Sequence, residues 1–382
     1  MKTDSNNRLA IKIGRFDLCN PVICGSGEPV MTEAGINAAL RAGAAGVIAK
    51  SINEQAAAAR QLDRADYTVL DASGAPAAWG KSAFSLFCRS GLAQRSTKDW
   101  FDAIATIDRQ AQKDGRFVGA SVVLGSHDGA LHIADTARSS GLRLFELNVG
   151  APHASEAKPG TIALETDPQS LRTLVRRIRV ATTGMQLWVK LTGLSNNLPA
   201  LAVAAAESGA DAVVMMGRFM GVVPDLNSFA PVLGTSAAYG GPWALPIVCR
   251  FLALSRRAAG STFPLLGTNG VRSGEDVVRM ALAGASAVEV MSVVMQEGFA
   301  GIARLIAELT RFLEQRDLRF SDIVGTSAAA LQTYAEQPDI PGHWKQFVPP
   351  ETLHGPPTRH GASLLGKDDG NSSDNQQRSG GV

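Results

Sequence analysis

Eight short apolar runs alternate along this chain with segments of helical spacing. The runs begin with Asn20-Pro21-Val-Ile-Cys-Gly-Ser-Gly27, then Gly46–Ser51, Phe117–Val123 and Leu144–Asn148. Gln186–Leu191, Ala212–Met216, Phe263–Gly267 and Ala287–Met291 complete the set. Helical patterns occupy 32–42, 102–113, 131–140, 170–181, 198–208, 244–259, 274–283 and 299–316. Runs that are apolar on both faces suit buried parallel strands. Parallel crossovers of this number close into a (β/α)8 TIM barrel, with a doubly wound sheet as the alternative. Two stretches break the rhythm. Residues 53–99 form a long insertion after the second strand, of the kind that serves as a lid or pocket wall. A second loop runs from the sixth strand to Tyr239-Gly-Gly-Pro242.

Of the 382 residues, 45% are hydrophobic and 39 are Gly, which suits a well-buried globular enzyme. A formal net charge of +2 gives no field directed at nucleic acid. Cys19, Cys24, Cys88 and Cys249 lack any Cys-x-x-Cys spacing, so no metal site is expected. The N-terminus has no apolar signal core and no run is long enough to span a membrane, so a cytoplasmic protein is the expectation. The organisation expected is one barrel domain over residues 1–350, with its core at 10–315. A flexible tail follows over 351–382, where KDDGNSSDNQQRSGGV cannot bury enough apolar area to order itself.

Barrel enzymes place their chemistry at the C-terminal ends of the strands, and their last two loops commonly hold a phosphate. Here those loops are Gly267-Thr-Asn-Gly270 and Met291-Ser292. Ser273-x-x-Asp276 reads as a helix start with backbone N–H groups aimed at the first of them, although glycines there also serve as plain punctuation. Lys50 and Lys190 each end an apolar strand, where a buried ammonium needs an anion: a ligand or a neighbouring carboxylate. The run Leu144-Phe-Glu-Leu-Asn148 breaks into Val-Gly-Ala-Pro-His153, a loop shaped for function rather than packing.

Taken in order, Asn20-Pro21…Gly25-Ser-Gly27, Ala49-Lys50-Ser51, Glu146-Leu-Asn148…Pro152-His153, Val189-Lys190-Leu-Thr192, Gly209-Ala-Asp211, Tyr239-Gly-Gly241 and Gly267-Thr-Asn-Gly270…Ala283-Gly-Ala-Ser286 form a series. It resembles the dihydroorotate dehydrogenase family of FMN-dependent barrels, over residues 10–315. Within that family it looks closest to the pyrimidine-reducing domain of dihydropyrimidine dehydrogenase, judging by Pro152-His153, Thr235 to Gly241 and Val290-Met-Ser292. The resemblance implies FMN, with its phosphate at Thr268, Asn269, Gly270, Met291 and Ser292. It places the ring over the barrel mouth at Lys190, with Gly25, Ser26, Lys50, Ser51, Asn148, Gly240 and Gly241 as further cofactor-binding residues.

The departures from the family pattern bear on substrate. Its catalytic loop reads Asn-x-Ser-Cys-Pro-Asn, or with Ser at the fourth place, and that Cys or Ser takes the substrate proton. This chain has Ala151 there, which has no ionisable proton. Cys88 and Gly217 stand near the places of asparagines that pair with a pyrimidine, and a site without those partners loses selectivity for an imide. His153, Arg218 and Cys88 are the remaining catalytic candidates, with His127 and Asp128 at the pocket rim. Arg218 suits an anion, though a surface loop position is its alternative. The reading is an FMN-dependent oxidoreductase that moves hydride at flavin N5, acting on a small anionic molecule that is not a pyrimidine. A flavin oxygenase, a non-redox barrel for phosphorylated metabolites and a silent flavin binder are the alternatives, and an RNA-modifying enzyme is disfavoured by the charge. No membrane or nucleic-acid partner is expected; a homodimer is expected by analogy.

Overall fold

The computed structural model of the protein describes residues 7–80, 84–151 and 166–354. All eight apolar runs form strands: β1 (Val22–Cys24), β2 (Gly46–Ile48), β3 (Phe117–Val123), β4 (Leu144–Asn148), β5 (Gln186–Lys190), β6 (Ala212–Met215), β7 (Leu265–Thr268) and β8 (Ala287–Val290). Each pairs in parallel with the next, and β8 pairs back onto β1 through Glu289 and Ile23, so the sheet closes. The (β/α)8 expectation holds.

Helices α1 (Glu33–Arg41), α2 (Thr97–Ala111), α3 (His127–Ser139), α4 (Pro168–Ala181), α5 (Leu198–Glu207), α6 (Leu245–Ala259), α7 (Gly274–Leu282) and α8 (Ala300–Glu314) return the chain between strands and close the ring. Five of them start after a side chain that accepts a first-turn N–H: Thr32, Ser96, Ser126, Asp167 and Ser273. Those caps explain why α2 and α3 begin earlier than apolar spacing indicates, since their first turns are polar. The closing helix α8 is continuous and is preceded by a short extra helix, Ser292–Glu297, from which Gly298 (φ +70°) parts it.

Strand alternation stacks the barrel interior in layers. Ile23, Ile48, Phe117, Leu144, Trp188 and Ala287 form an apolar layer, all fully buried. An antiparallel hairpin, Ile11–Ile13 with Phe16–Leu18, plugs that end. Phe16 stacks on Phe117 with centroids 4.8 Å apart, and Trp188 meets Phe117 edge-on at 5.4 Å. Two residues further along their strands, the positions above Leu144, Trp188 and Ala287 are Glu146, Lys190 and Glu289. The barrel therefore turns polar just below its mouth.

The two rhythm-breaking stretches are not loops alone. Asp66–Leu70, Pro76–Ala77 and Ser85–Arg89 from the first combine with Phe219–Gly221 and Ala237–Gly240 from the second in a five-stranded antiparallel sheet. These strands are too short for periodicity to reveal, and their pairing joins segments far apart in sequence. A second unit starts at Gln332 and is described as far as His354, by short helical turns with Tyr334, Trp344 and Phe347 exposed. Most of the expected tail lies outside the described residues. No helix among them is long and apolar enough to cross a membrane.

Candidate active site

A cleft opens at the C-terminal ends of the strands. Most of the residues singled out in the sequence line it: Gly25, Ser26, Lys50 and Ser51 from β1 and β2, Asn148 and Ala151 from β4, and Lys190 from β5. Arg218, Thr268, Asn269, Gly270, Met291 and Ser292 complete the far side. The added sheet contributes Tyr67, Leu86 and Ser90, so the insertion after β2 is a pocket wall. Gly240 and Gly241 line a smaller pocket beside it, with Gly270 and Ser292. His153 lies outside the described residues. His127 and Asp128 open α3 and do not line the cleft, and Asp128 pairs with Arg177 at 2.8 Å.

Lys50 ends β2 as a nearly buried ammonium. Its Nζ donates to Glu28 Oε1 at 2.7 Å and to Ser90 Oγ at 3.1 Å. Ser90 Oγ in turn donates to Glu28 Oε1 at 2.6 Å. Burial pushes the Glu28 carboxyl up, but Lys50, Ser90 and Tyr67 outweigh it and hold the group at about 2. Burial also draws Lys50 down, against the pull of Glu28. The two shifts compete for one proton, and the close contact favours the ion pair. Glu28, Tyr67 and Ser90 carried no motif, so sequence reading missed them.

Lys190 ends β5 between two acids of the polar layer. It contacts Glu289 directly, and its Nζ lies 3.8 Å from Glu146 Oε2. Burial lowers an ammonium, but here Glu146 and Glu289 overcome it and keep Lys190 raised. Both lysines thus have carboxylate partners, the alternative the sequence left open. An ammonium has three donors, so each can still serve a ligand. The acids were legible as lone charges inside apolar strands, Leu144-Phe-Glu-Leu and Ala287-Val-Glu-Val, both at inward positions.

Arg218 follows β6 and is half-buried at the cleft. Its Nη1 lies 2.5 Å from Cys88 Sγ, and no carboxylate among the described residues pairs with it. Cys88 is fully buried and off the cleft lining, and burial raises its thiol, so it backs the arginine rather than facing a ligand. Across Gly240 from Arg218, Asn269 takes a left-handed backbone (φ +77°) followed by Gly270 (φ +99°), and the Asn269 Nδ2 amide is buried without an acceptor. A Cβ on Gly240 would lie 2.7 Å from Asn269 Oδ1, so a glycine there makes room for that turn. The N-terminus of α7 is not free as the capping pattern suggested. Ser273 Oγ and Asp276 Oδ2 close a capping box, and Gly274 N–H donates to Glu308.

These residues fit a flavin mononucleotide. Small side chains at Gly25, Ser26 and Gly27 leave one wall open, Lys190 brings spare donors, and the Asn269 amide offers an unused one on the cleft lining.

Fold and site together define an enzyme of the parallel (β/α)8-barrel class. Comparison with known proteins narrows this. The family model described as dihydroorotate dehydrogenase matches residues 119–313, more than half of the chain, and the chain belongs to that family, whose enzymes are FMN-dependent. It is 33% identical over 159 residues to dihydroorotate dehydrogenase A (fumarate) of Limosilactobacillus reuteri, covering 41% of this chain and 50% of that enzyme. The chain thus matches only half the length of that relative. It is 26% identical over 325 residues to the catalytic subunit of dihydroorotate dehydrogenase B (NAD(+)) of Methanocella arvoryzae, covering 83% and 97%. The same subunit from Pyrococcus abyssi is 26% identical over 311 residues, covering 80% and 94%.

Proposed function

We propose that this protein is an FMN-dependent oxidoreductase acting on a small anion other than a pyrimidine. Arg218 carries the reading: a guanidinium facing the cleft, with no carboxylate partner among the described residues. Near it Lys50 is already neutralised by Glu28, so Arg218 leaves this end of the cleft with a net positive charge. Bound FMN would supply hydride acceptance at its N5. Around it Lys190 would hold the ring from below, Asn269 and Ser292 would take the phosphate end, and Arg218 would orient the substrate's anionic group. The family's Cys or Ser base is here Ala151, which lines the cleft with a methyl group. We assign the proton to His153 or to water. A barrel domain over residues 1–350 and a tail over 351–382 complete the proposed organisation.

Anaerobic mixing of the FMN-loaded protein with a panel of small carboxylates, beside dihydroorotate and dihydrouracil, tests the substrate class. Bleaching of the flavin by a carboxylate but by neither pyrimidine supports the reading. Bleaching by dihydroorotate at a comparable rate overturns it.

A further inference from the structure

We propose that Glu146 and Glu289 form a proton-sharing carboxylate pair at the floor of the cleft, and that the hydroxyls of Ser121, Ser51 and Ser26 carry that proton between Glu146 and the cleft. Glu146 and Glu289 are both within 1% of full burial, and the cation in contact with them is Lys190. Two carboxylates and one ammonium leave a buried negative charge, which a single proton removes.

Hydrogen bonding locates the proton. Glu146 Oε1 accepts from Ser121 Oγ at 2.9 Å, and Glu289 Oε2 accepts from Lys190. The other two oxygens, Glu146 Oε2 and Glu289 Oε1, are buried and have no donor. The two side chains lie within hydrogen-bonding reach, so one proton between them satisfies both. Burial, and then the charge of Glu289, push Glu146 up to about 8. Cys24 also faces Glu289, but burial pushes its thiol up to about 12, which keeps it neutral. Arg218 acts on the group only at longer range, through Lys190.

The hydroxyl chain gives the proton a path. Ser51 Oγ donates to Ser121 Oγ at 2.9 Å, and Ser26 Oγ lies 2.9 Å from Ser51 Oγ. Ser26, Ser51 and Glu289 line the cleft, whereas Ser121 and Glu146 do not, so the hydroxyls link the Glu146 side of the pair to it. Each hydroxyl both donates and accepts, so the chain can reverse its polarity and pass a proton either way. The cleft thereby gains an exchangeable proton although Ala151 has none. When the pair holds its proton, the Lys190 cluster is neutral. When it does not, the layer is net negative and disfavours an anionic ligand; this last step alone rests on the proposed flavin site.

Infrared titration of the purified full chain tests the pair without any flavin. A protonated-carboxyl C=O band should be present at neutral pH and fade as pH rises through about 8. Glu146→Gln should remove it. Glu289→Gln should remove it too, because Lys190 then neutralises the one remaining carboxylate. Ser121→Ala should keep the band but slow its isotope shift at least tenfold after transfer to D2O. No such band in the wild type, or a band unchanged in both glutamine variants, overturns the pair. An equally fast shift in Ser121→Ala overturns the relay. With FMN added, affinity should fall across the same pH range in the wild type and stay level in Glu146→Gln; parallel curves overturn the coupling. Failure to take up FMN would instead sink the flavin reading, with the infrared bands unaffected.

Discussion

The ammonium of Lys50 and the carboxylate of Glu28 meet at 2.7 Å where β1 and β2 open into the cleft, and both side chains are largely withdrawn from water. Glu28 is held at about 2, below its ordinary value of 4.5. A depressed carboxyl stabilises the fold fully above the unfolded value, and that stability is lost as pH falls from 4.5 toward 2. Glu28→Gln should therefore flatten acid unfolding in that window. At neutral pH it should cost about 3 kcal/mol in urea denaturation, because Lys50 is left buried without its partner.

Arg218→Ala should raise KM for an anionic substrate by about 10- to 100-fold, the scale of a lost hydrogen bond to a charged group. Flavin content should stay unchanged. Steady-state kinetics beside flavin absorbance separates the two effects, and Arg218→Lys should recover part of the loss.

Gly150 packs against the loop after β5 so closely that a Cβ would lie 2.5 Å from Thr192 Cα. Both partners there are backbone, so neither yields cheaply. Gly150→Ala should displace the Asn148–Ala151 segment, cost about 1–3 kcal/mol and weaken FMN binding. Thermal unfolding and flavin titration of one preparation check both effects.

Trp188 fills the closed end of the barrel against Phe16 and Phe117. Trp188→Ala should cost about 3–5 kcal/mol by opening a cavity. Denaturation should show the loss, while flavin affinity of the folded fraction stays near the wild type, since the polar layer lies between the two.

The barrel was legible because its strands are buried on both faces and so read as continuous apolar runs; β3 and β4 end where those runs end. The sheet beside the cleft was not, because Cys88 pairs with Ala238 across 150 residues of chain and short antiparallel strands leave no local signature. The residues proposed to hold the cofactor were singled out through glycine and lysine at strand ends. Glu28 was missed because it sits in a 3-10 turn with no periodicity, and its role appears only when Lys50 is beside it. The α7 capping pattern was read correctly as a helix start, but the same side chains that cap the helix use up the donors a phosphate would need.

In the proposed site the cleft holds FMN through Lys190 and Asn269. Titration of the flavin-free protein with FMN, followed by quenching of flavin fluorescence, tests it most directly. The account predicts saturable, stoichiometric binding that Lys190→Ala and Asn269→Ala each weaken at least tenfold, with circular dichroism unchanged. No binding by the wild type, or equal affinity in both folded variants, would contradict it.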